Sequence, residues 1–412
     1  MKTSKLLILI LLILIVSIES AFSQQNKITI QIGSADKQVA FAADEIKKSA
    51  ESKGYVVTLV KSLNAKSKDE MIVKIISDSD LSVKTSGVDN LKTPQQFGWQ
   101  CFSIRVKETG GQKVIYILAG DNTGAMYGGL DIAEAIRLKT INFISDSDSK
   151  PYLERRGIKF NIPLDLRTPS YTEMSDAAQQ NIPVMWDMDF WQQQFDEMAR
   201  NRYNVISLWN LDPFPSLVKI PEFPKVALND VWRTKIKLDD NYSLSGSGYL
   251  TPAMLNNYEV VKKITIDEKI EFWRKVMAYA HNRGIEVYWF TWNIFTYGAQ
   301  GKYGIDDRQN NDTTIAYVRS AVRQMVLTYP YLAGIGITAG ENMDGDKSKY
   351  TNEEWLRKTY GKGIEDALLK QPGRNFKLIH RFHQTNLSNI LDAFKKYPGI
   401  MDLSYKYAIA HM

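Results

Sequence analysis

Leu332-Ala333-Gly334-Ile335-Gly336-Ile337-Thr338-Ala339-Gly340-Glu341-Asn342 decides how this chain is read. Small and β-branched residues run without polar interruption from Leu332 to Ala339, and then a carboxylate and an amide arrive together. A short apolar run of this kind reads as a strand buried on both faces, as in parallel sheets. In a parallel barrel the C-terminal end of a strand is where reactive groups meet substrate. Glu341 is therefore a candidate acid, with a structural ion pair as the alternative.

Working outward, the same strand-then-helix pattern recurs. Strands are expected at Gly157–Ile162, Asn204–Trp209, Glu286–Trp292, Leu332–Thr338, Lys377–Arg381 and Met401–Tyr407. Helical spacing runs through Asp189–Arg202, Asp267–Arg283, Thr313–Tyr329, Asn352–Lys370 and Leu387–Lys396, with Asp189, Asp267, Asn352 and Asn386 as capping candidates. Such alternation implies a parallel sheet with right-handed crossovers. Repeated this often, it points to a (β/α)8 TIM-type barrel over residues 151–412, of which about six strands are present. The expectation is a barrel whose remaining strands lie beyond Met412; the alternative places extra strands in the insertion Pro215–Lys263.

Residues 24–150 precede it as a small α+β sandwich domain. Ile28-Thr29-Ile30-Gln31-Ile32 alternates as a strand, and Val39, Ala42, Ala43, Ile46 and Ala50 share one helical face. The stretch Ala119-Gly120-Asp121-Asn122-Thr123-Gly124-Ala125-Met126-Tyr127-Gly128-Gly129 turns into a second helix. Its glycine spacing fits neither a dinucleotide fingerprint nor a P-loop, so helix–sheet packing is the expected use. Asp146–Pro151 reads as a polar linker.

Met1–Ser23 has a basic start, an apolar run from Leu6 to Val16 and small residues before a cut ahead of Gln24. That reads as a secretory signal, its run being short for a membrane span of roughly 20 apolar residues, with an uncleaved anchor as the alternative. The expected location is secreted or periplasmic, with no stable membrane association after cleavage. The single cysteine, Cys101, excludes an internal disulfide. Of the 412 residues, 24% are charged and the net charge is only +6. No basic stripe marks a nucleic-acid partner.

Taken in strand order, the strand ends carry Asp165 and Arg167, then Trp209, Asn210 and Asp212, then Trp292 and Asn293. Glu341 and Asn342 follow strand four, Arg381 and His383 strand five, and Lys406, Tyr407 and His411 strand six. Aromatic rings stack on the apolar faces of sugars, while amides, carboxylates and cations bond to hydroxyls and acidic groups. Asp165, Trp209, Asn210, Trp292, Asn293, Asn342, Arg381, Lys406 and His411 are accordingly the expected contacts for an oligosaccharide or polysaccharide. Each has a structural alternative: Asp165 paired with Arg167, Asp212 forming a turn, the tryptophans in the core. His380, by alternation, faces the helices if Arg381 faces the barrel. Glycosidic cleavage needs an acid at the leaving oxygen and a second carboxylate as base or nucleophile. Partial desolvation of Glu341 would favour its protonated form. The histidine spacing is no metal signature, and no metal or cofactor is expected.

Ile117-Leu118-Ala119-Gly120-Asp121…Gly124-Ala125-Met126-Tyr127-Gly128 resembles the end of the small domain that precedes the barrel in β-hexosaminidases and α-glucuronidases. Glu154-Arg155-Arg156-Gly157-Ile158-Lys159-Phe160 resembles their entry into the barrel. Hexosaminidases carry Asp before the strand-four acid; Gly340 stands here, which argues against acetamido-assisted hydrolysis. In α-glucuronidases (glycoside hydrolase family 67) an acid, an arginine and a lysine end strands four, five and six. Glu341, Arg381 and Lys406 match them, and the resemblance implies that the two cations bind a uronic carboxylate. Ile337 departs from that family's lysine, and Tyr407–His411 lacks its aspartate base. A glycosidase is the leading expectation; a non-catalytic glycan-binding protein, or a lyase using Tyr407 or His411, are the others.

Overall fold

The computed structural model describes residues 26–61, 71–77, 98–170, 175–238, 250–340, 342–343 and 348–405. The signal-like Met1–Ser23 lies outside them, as do Glu341, Lys406 and His411. The chain forms two compact units, Met1–Glu154 and Arg155–Met412.

In the first unit, strands β1 (Lys27–Ile32), β2 (Val56–Val60), β3 (Met71–Ser77), β4 (Phe102–Thr109), β5 (Gln112–Ala119) and β6 (Ser147–Ser149) form one mixed sheet. Its order is β2-β1-β3-β5-β4-β6. Helices α1 (Lys37–Glu51) and α2 (Asn122–Arg137) pack together. Gly129 permits that approach, because a Cβ there would lie 2.6 Å from the Ala42 Cβ. Gly128 does the same against Ile117 at 2.5 Å, so these glycines serve packing. The expected linker differs: Ser147–Ser149 pairs antiparallel with β4, and Asp148 bonds to Arg105 at 2.7 Å. A buried arginine needs a carboxylate, and that requirement draws the polar segment into the sheet.

The second unit is a parallel sheet of β7 (Gly157–Asn161), β8 (Val205–Asn210), β11 (Glu286–Trp292), β12 (Leu332–Thr338), β13 (Lys377–Arg381) and β14 (Ile400–Ser404). Its order β14-β13-β12-β11-β8-β7 follows the chain, and every neighbouring pair is parallel. Helices α3 (Met188–Arg200), α4 (Ile266–His281), α5 (Asp312–Thr328), α6 (Asn352–Leu356), α7 (Lys362–Leu368) and α8 (Leu387–Phe394) separate the strands. This is a TIM-barrel-type α/β architecture. A two-stranded antiparallel hairpin, β9 (Val231–Thr234) with β10 (Tyr258–Lys262), is inserted between β8 and α4.

Strand parity assigns the faces. Ile206, Leu208, Val287, Trp289, Ile335, Ile337 and Leu378 pack with Trp191, Trp273, Tyr317 and Trp355 in the main core, between strands and helices. Each such aromatic contributes about 2–3 kcal/mol through burial. His380 shares this parity and lies edge-on to Phe394 at 6.0 Å, the helix-facing position that alternation predicts. Burial lowers its pKa to about 4. Helix starts shifted slightly from expectation: Asp187, Thr265 and Thr351 are the caps, with full capping boxes at Thr265–Glu268 and Thr351–Glu354.

Candidate functional site

The opposite parity faces the lumen and carries a second aromatic cluster. Trp209 stacks on Phe290 at 4.3 Å with 14° between planes, and meets Trp292 edge-on at 4.8 Å. Tyr288 and Leu211 complete the cluster. Bulky rings on β11 require empty positions on β12. Gly334 and Gly336 pair with Tyr288 and Phe290 in register, and a Cβ at Gly336 would sit 2.2 Å from the Phe290 ring.

Cations lie over these rings. Lys159 Nζ is 4.3 Å from the Trp209 ring centre and 5.7 Å from that of Trp292, while Arg381 Cζ is 5.6 Å from Trp209. Ring faces are electron-rich and attract such cations. Asn161, Trp292, Thr338 and Arg381 are each the last residue of their strand, and Trp209 is next to last. The cluster therefore sits at the C-terminal ends. Asn161 Oδ1 and Thr338 Oγ1 are buried there without a hydrogen-bond partner among the described residues. At the other end, Arg155 reaches Asp402 at 3.2 Å and Glu286 at 3.7 Å, and the Tyr288 hydroxyl donates to Glu286 at 2.7 Å.

The expected contacts divide into groups. Trp209, Trp292 and Arg381 are brought together, but neither tryptophan offers an open stacking face. Trp209 is covered by Phe290 on one side and Lys159 on the other, which makes it floor rather than platform. Asp165 is fully buried, and its oxygens take Arg167 Nε and Nη2, both at 2.8 Å. It also accepts the Trp232 backbone N–H at 3.2 Å, so the pairing alternative describes its geometry. Asn210 donates to the carbonyls of Ile162 and Thr168, tying the end of β8 to the loop after β7. Asn293 donates to Thr338 O at 3.3 Å and accepts from Ile294 N at 2.5 Å. These three polar side chains hold the scaffold. Asn342 is exposed in a turn at φ 63°, closed by Met343 N to Gly340 O at 3.1 Å. Gly340 has φ 100°, and a Cβ there would lie 2.4 Å from the Gln384 side chain. Position 340 therefore excludes a side chain on two counts.

Behind the strand ends lies a buried polar shell. Asp212 accepts from the Tyr317 hydroxyl at 3.2 Å, and burial pushes its carboxyl well above the usual range. Thr291 Oγ1 donates to the Tyr360 hydroxyl at 2.7 Å, which donates to Asn293 O at 3.1 Å. Tyr360 sits in a π-helical turn, Arg357–Gly361, between α6 and α7. Such turns are rare and recur beside functional sites. Lys269, fully buried on α4, donates to Asp230 O at 2.6 Å and lies 3.9 Å from Asp165. Desolvation lowers its pKa to about 8.

Lys159, Asn161, Phe290 and Thr338 escaped the sequence reading. Parity along Gly157–Asn161 carries the signal for the first two, since Ile158 and Phe160 claim the helix side. Among the described residues no group of three His, Cys, Asp or Glu is placed to hold a metal ion, and no helix is long and apolar enough to cross a membrane.

No protein-family model matches the sequence, and no curated protein matches it. Solved structures do. A GH138 enzyme targeting pectin rhamnogalacturonan II aligns with TM-score 0.67 and 21% identity, over 92% of this chain and 48% of its own. The fold is shared. The CpGH84D structure aligns at TM-score 0.50 and 11% identity, over 92% of this chain and 52% of its own. A β-N-acetylhexosaminidase from Bacteroides fragilis aligns at 0.49 and 12%, over 93% and 66%. This chain thus spans about half of the GH138 structure. The structural neighbours are glycoside hydrolases, and no α-glucuronidase is among these three.

Proposed function

We propose that the protein is a glycosidase acting on polysaccharide-derived oligosaccharides, with its site at the C-terminal ends of the lumen strands. The observation that carries this reading is the aromatic floor of Trp209, Phe290 and Trp292 topped by Lys159 and Arg381. Beside it stand Asn161 Oδ1 and Thr338 Oγ1, buried polar atoms that a sugar's hydroxyls can satisfy. The shared fold with a GH138 enzyme adds weight, and makes pectin-derived acidic glycans the first substrates to try.

In this mechanism Glu341, three residues after the last residue of β12 in the sequence, protonates the leaving glycosidic oxygen. Arg381 and Lys159, both beside the Trp209 ring, hold an acidic or polyhydroxylated sugar, with Lys406 as a further cation. A signal-directed secreted or periplasmic location fits a polymer substrate. The test is Glu341→Gln, assayed with wild type on rhamnogalacturonan II fragments and glucuronoxylan oligosaccharides. Wild type should release sugar and the variant should lose at least about a hundredfold, the usual range for a catalytic proton donor. Equal turnover by both would remove Glu341 from the mechanism.

A second reading, glycan binding without cleavage, is favoured by one observation. The carboxylates after β7 and β8, Asp165 and Asp212, are both committed within the protein and leave the second catalytic carboxylate unassigned. Binding without turnover in the same panel would select it.

A further inference from the structure

The insertion between β8 and α4 belongs to the strand-end side of the sheet, because it joins the C-terminal end of a strand to the start of the next helix. Its hairpin carries Trp232 and Tyr258 in a parallel stack, centres 3.7 Å apart and planes within 9°. The guanidinium of Arg167 lies 3.9 Å over Trp232. Arg167 is in turn locked by both oxygens of the buried Asp165 and by the carbonyls of Asn229 and Asp230. Lys269 Nζ donates to the Asp230 carbonyl at 2.6 Å. Asp165, Arg167, Trp232 and Tyr258 thus form one continuous column that starts in the interior and ends at solvent, where Tyr258 is 38% exposed.

A lone exposed tyrosine needs no explanation. This one is the outer end of a stack whose inner end is fixed by buried charges, so its ring is held flat and still. An immobilised aromatic face is what the apolar face of a pyranose ring requires, since little ordering entropy is lost on contact. We propose that Tyr258 is a platform for a sugar ring of a glycan chain, an outlying subsite on the strand-end side that extends recognition beyond the lumen. The inference rests on the glycan reading above.

The experiment is co-sedimentation of the full protein with insoluble pectin and with glucuronoxylan, alongside turnover of short oligosaccharides. Tyr258→Ala should bind the polymers about tenfold more weakly, the effect of one aromatic contact. Tyr258→Phe should bind as wild type does, because stacking needs the ring and not the hydroxyl. Turnover of the shortest cleaved oligosaccharide should be unchanged in both. If wild type binds polymer and Tyr258→Ala binds equally well, the platform is overturned while the glycan reading stands. Equal weakening by Tyr258→Ala and Tyr258→Phe also overturns it, since loss would then follow the hydroxyl. If wild type neither binds nor cleaves any glycan, the glycan reading falls and this inference with it.

Discussion

The lumen at the strand ends and the shell just behind it are built from similar residue types used in opposite ways. In the shell, Asp165 accepts from Arg167 and from the Trp232 backbone N–H, Thr291 donates to Tyr360, and Tyr360, Asn210 and Asn293 donate to backbone carbonyls. In the lumen, Asn161 Oδ1 and Thr338 Oγ1 are buried but lack partners among the described residues, and Lys159 and Arg381 rest on aromatic faces. A protein gains stability from the first arrangement and spends it in the second. Type alone does not distinguish a ligand-facing residue from a scaffold one. What distinguishes most of them is whether the side chain is tied into the scaffold. Asn210 has both features, since its amide donates to two carbonyls while its buried Oδ1 has no partner among the described residues.

The comparison breaks most sharply at Asp165. Asp165→Ala leaves Arg167 and the buried Lys269 without their carboxylate. Removing one partner of such a buried group costs about 3–5 kcal/mol. Urea unfolding should show that loss, whereas Lys159→Ala in the lumen should change stability by less than about 1 kcal/mol. Equal losses would mean that the two regions are not different in kind.

The next effect is titration behind β13. His380 has its pKa lowered to about 4 by burial, so between about pH 4 and its ordinary 6.5 the unfolded chain binds more protons. Stability should therefore be complete above pH 6.5 and fall as pH drops through 4, by up to about 3 kcal/mol. His380→Leu should flatten that limb of the stability–pH curve. A slope that persists in the variant would assign it to other groups.

A smaller effect is expected at Tyr360. Tyr360→Phe strands Thr291 Oγ1 and the Asn293 carbonyl in the interior, at about 1–3 kcal/mol. Because Asn293 bonds to Thr338 at the end of β12, kcat on any cleaved oligosaccharide should fall more than KM rises. A change in KM alone would show that the π-helical turn serves binding only.

How far these regions were legible in the sequence depends on the range of the interactions. Alternation and apolar runs place the barrel strands within a few residues, because burial on two faces dominates local composition. The Thr265–Glu268 and Thr351–Glu354 capping boxes are written in the sequence, yet acidic and amide residues just after each threonine compete as caps. Gly334 and Gly336 announced a strand, but their reason, the rings of Tyr288 and Phe290, lies on the neighbouring strand. Asp165 is the instructive case. Its partner Arg167 is two residues away, while Trp232 and Lys269 arrive from an insertion and a later helix, respectively. No local pattern reveals that its carboxylate is fully engaged. Lys159 was missed for the opposite reason: parity marks it as inward, but a lysine on a strand reads as solvated unless the lumen is recognised as a site.

The most direct test of the central claim is a calorimetric titration of acidic pectin-derived oligosaccharides into wild type and into Arg381→Ala. If the lumen strand ends form the glycan site, wild type should bind and Arg381→Ala should weaken binding by roughly tenfold or more, as expected for a charge-assisted hydrogen bond to ligand. Binding that is indifferent to Arg381 would contradict a site at the lumen strand ends.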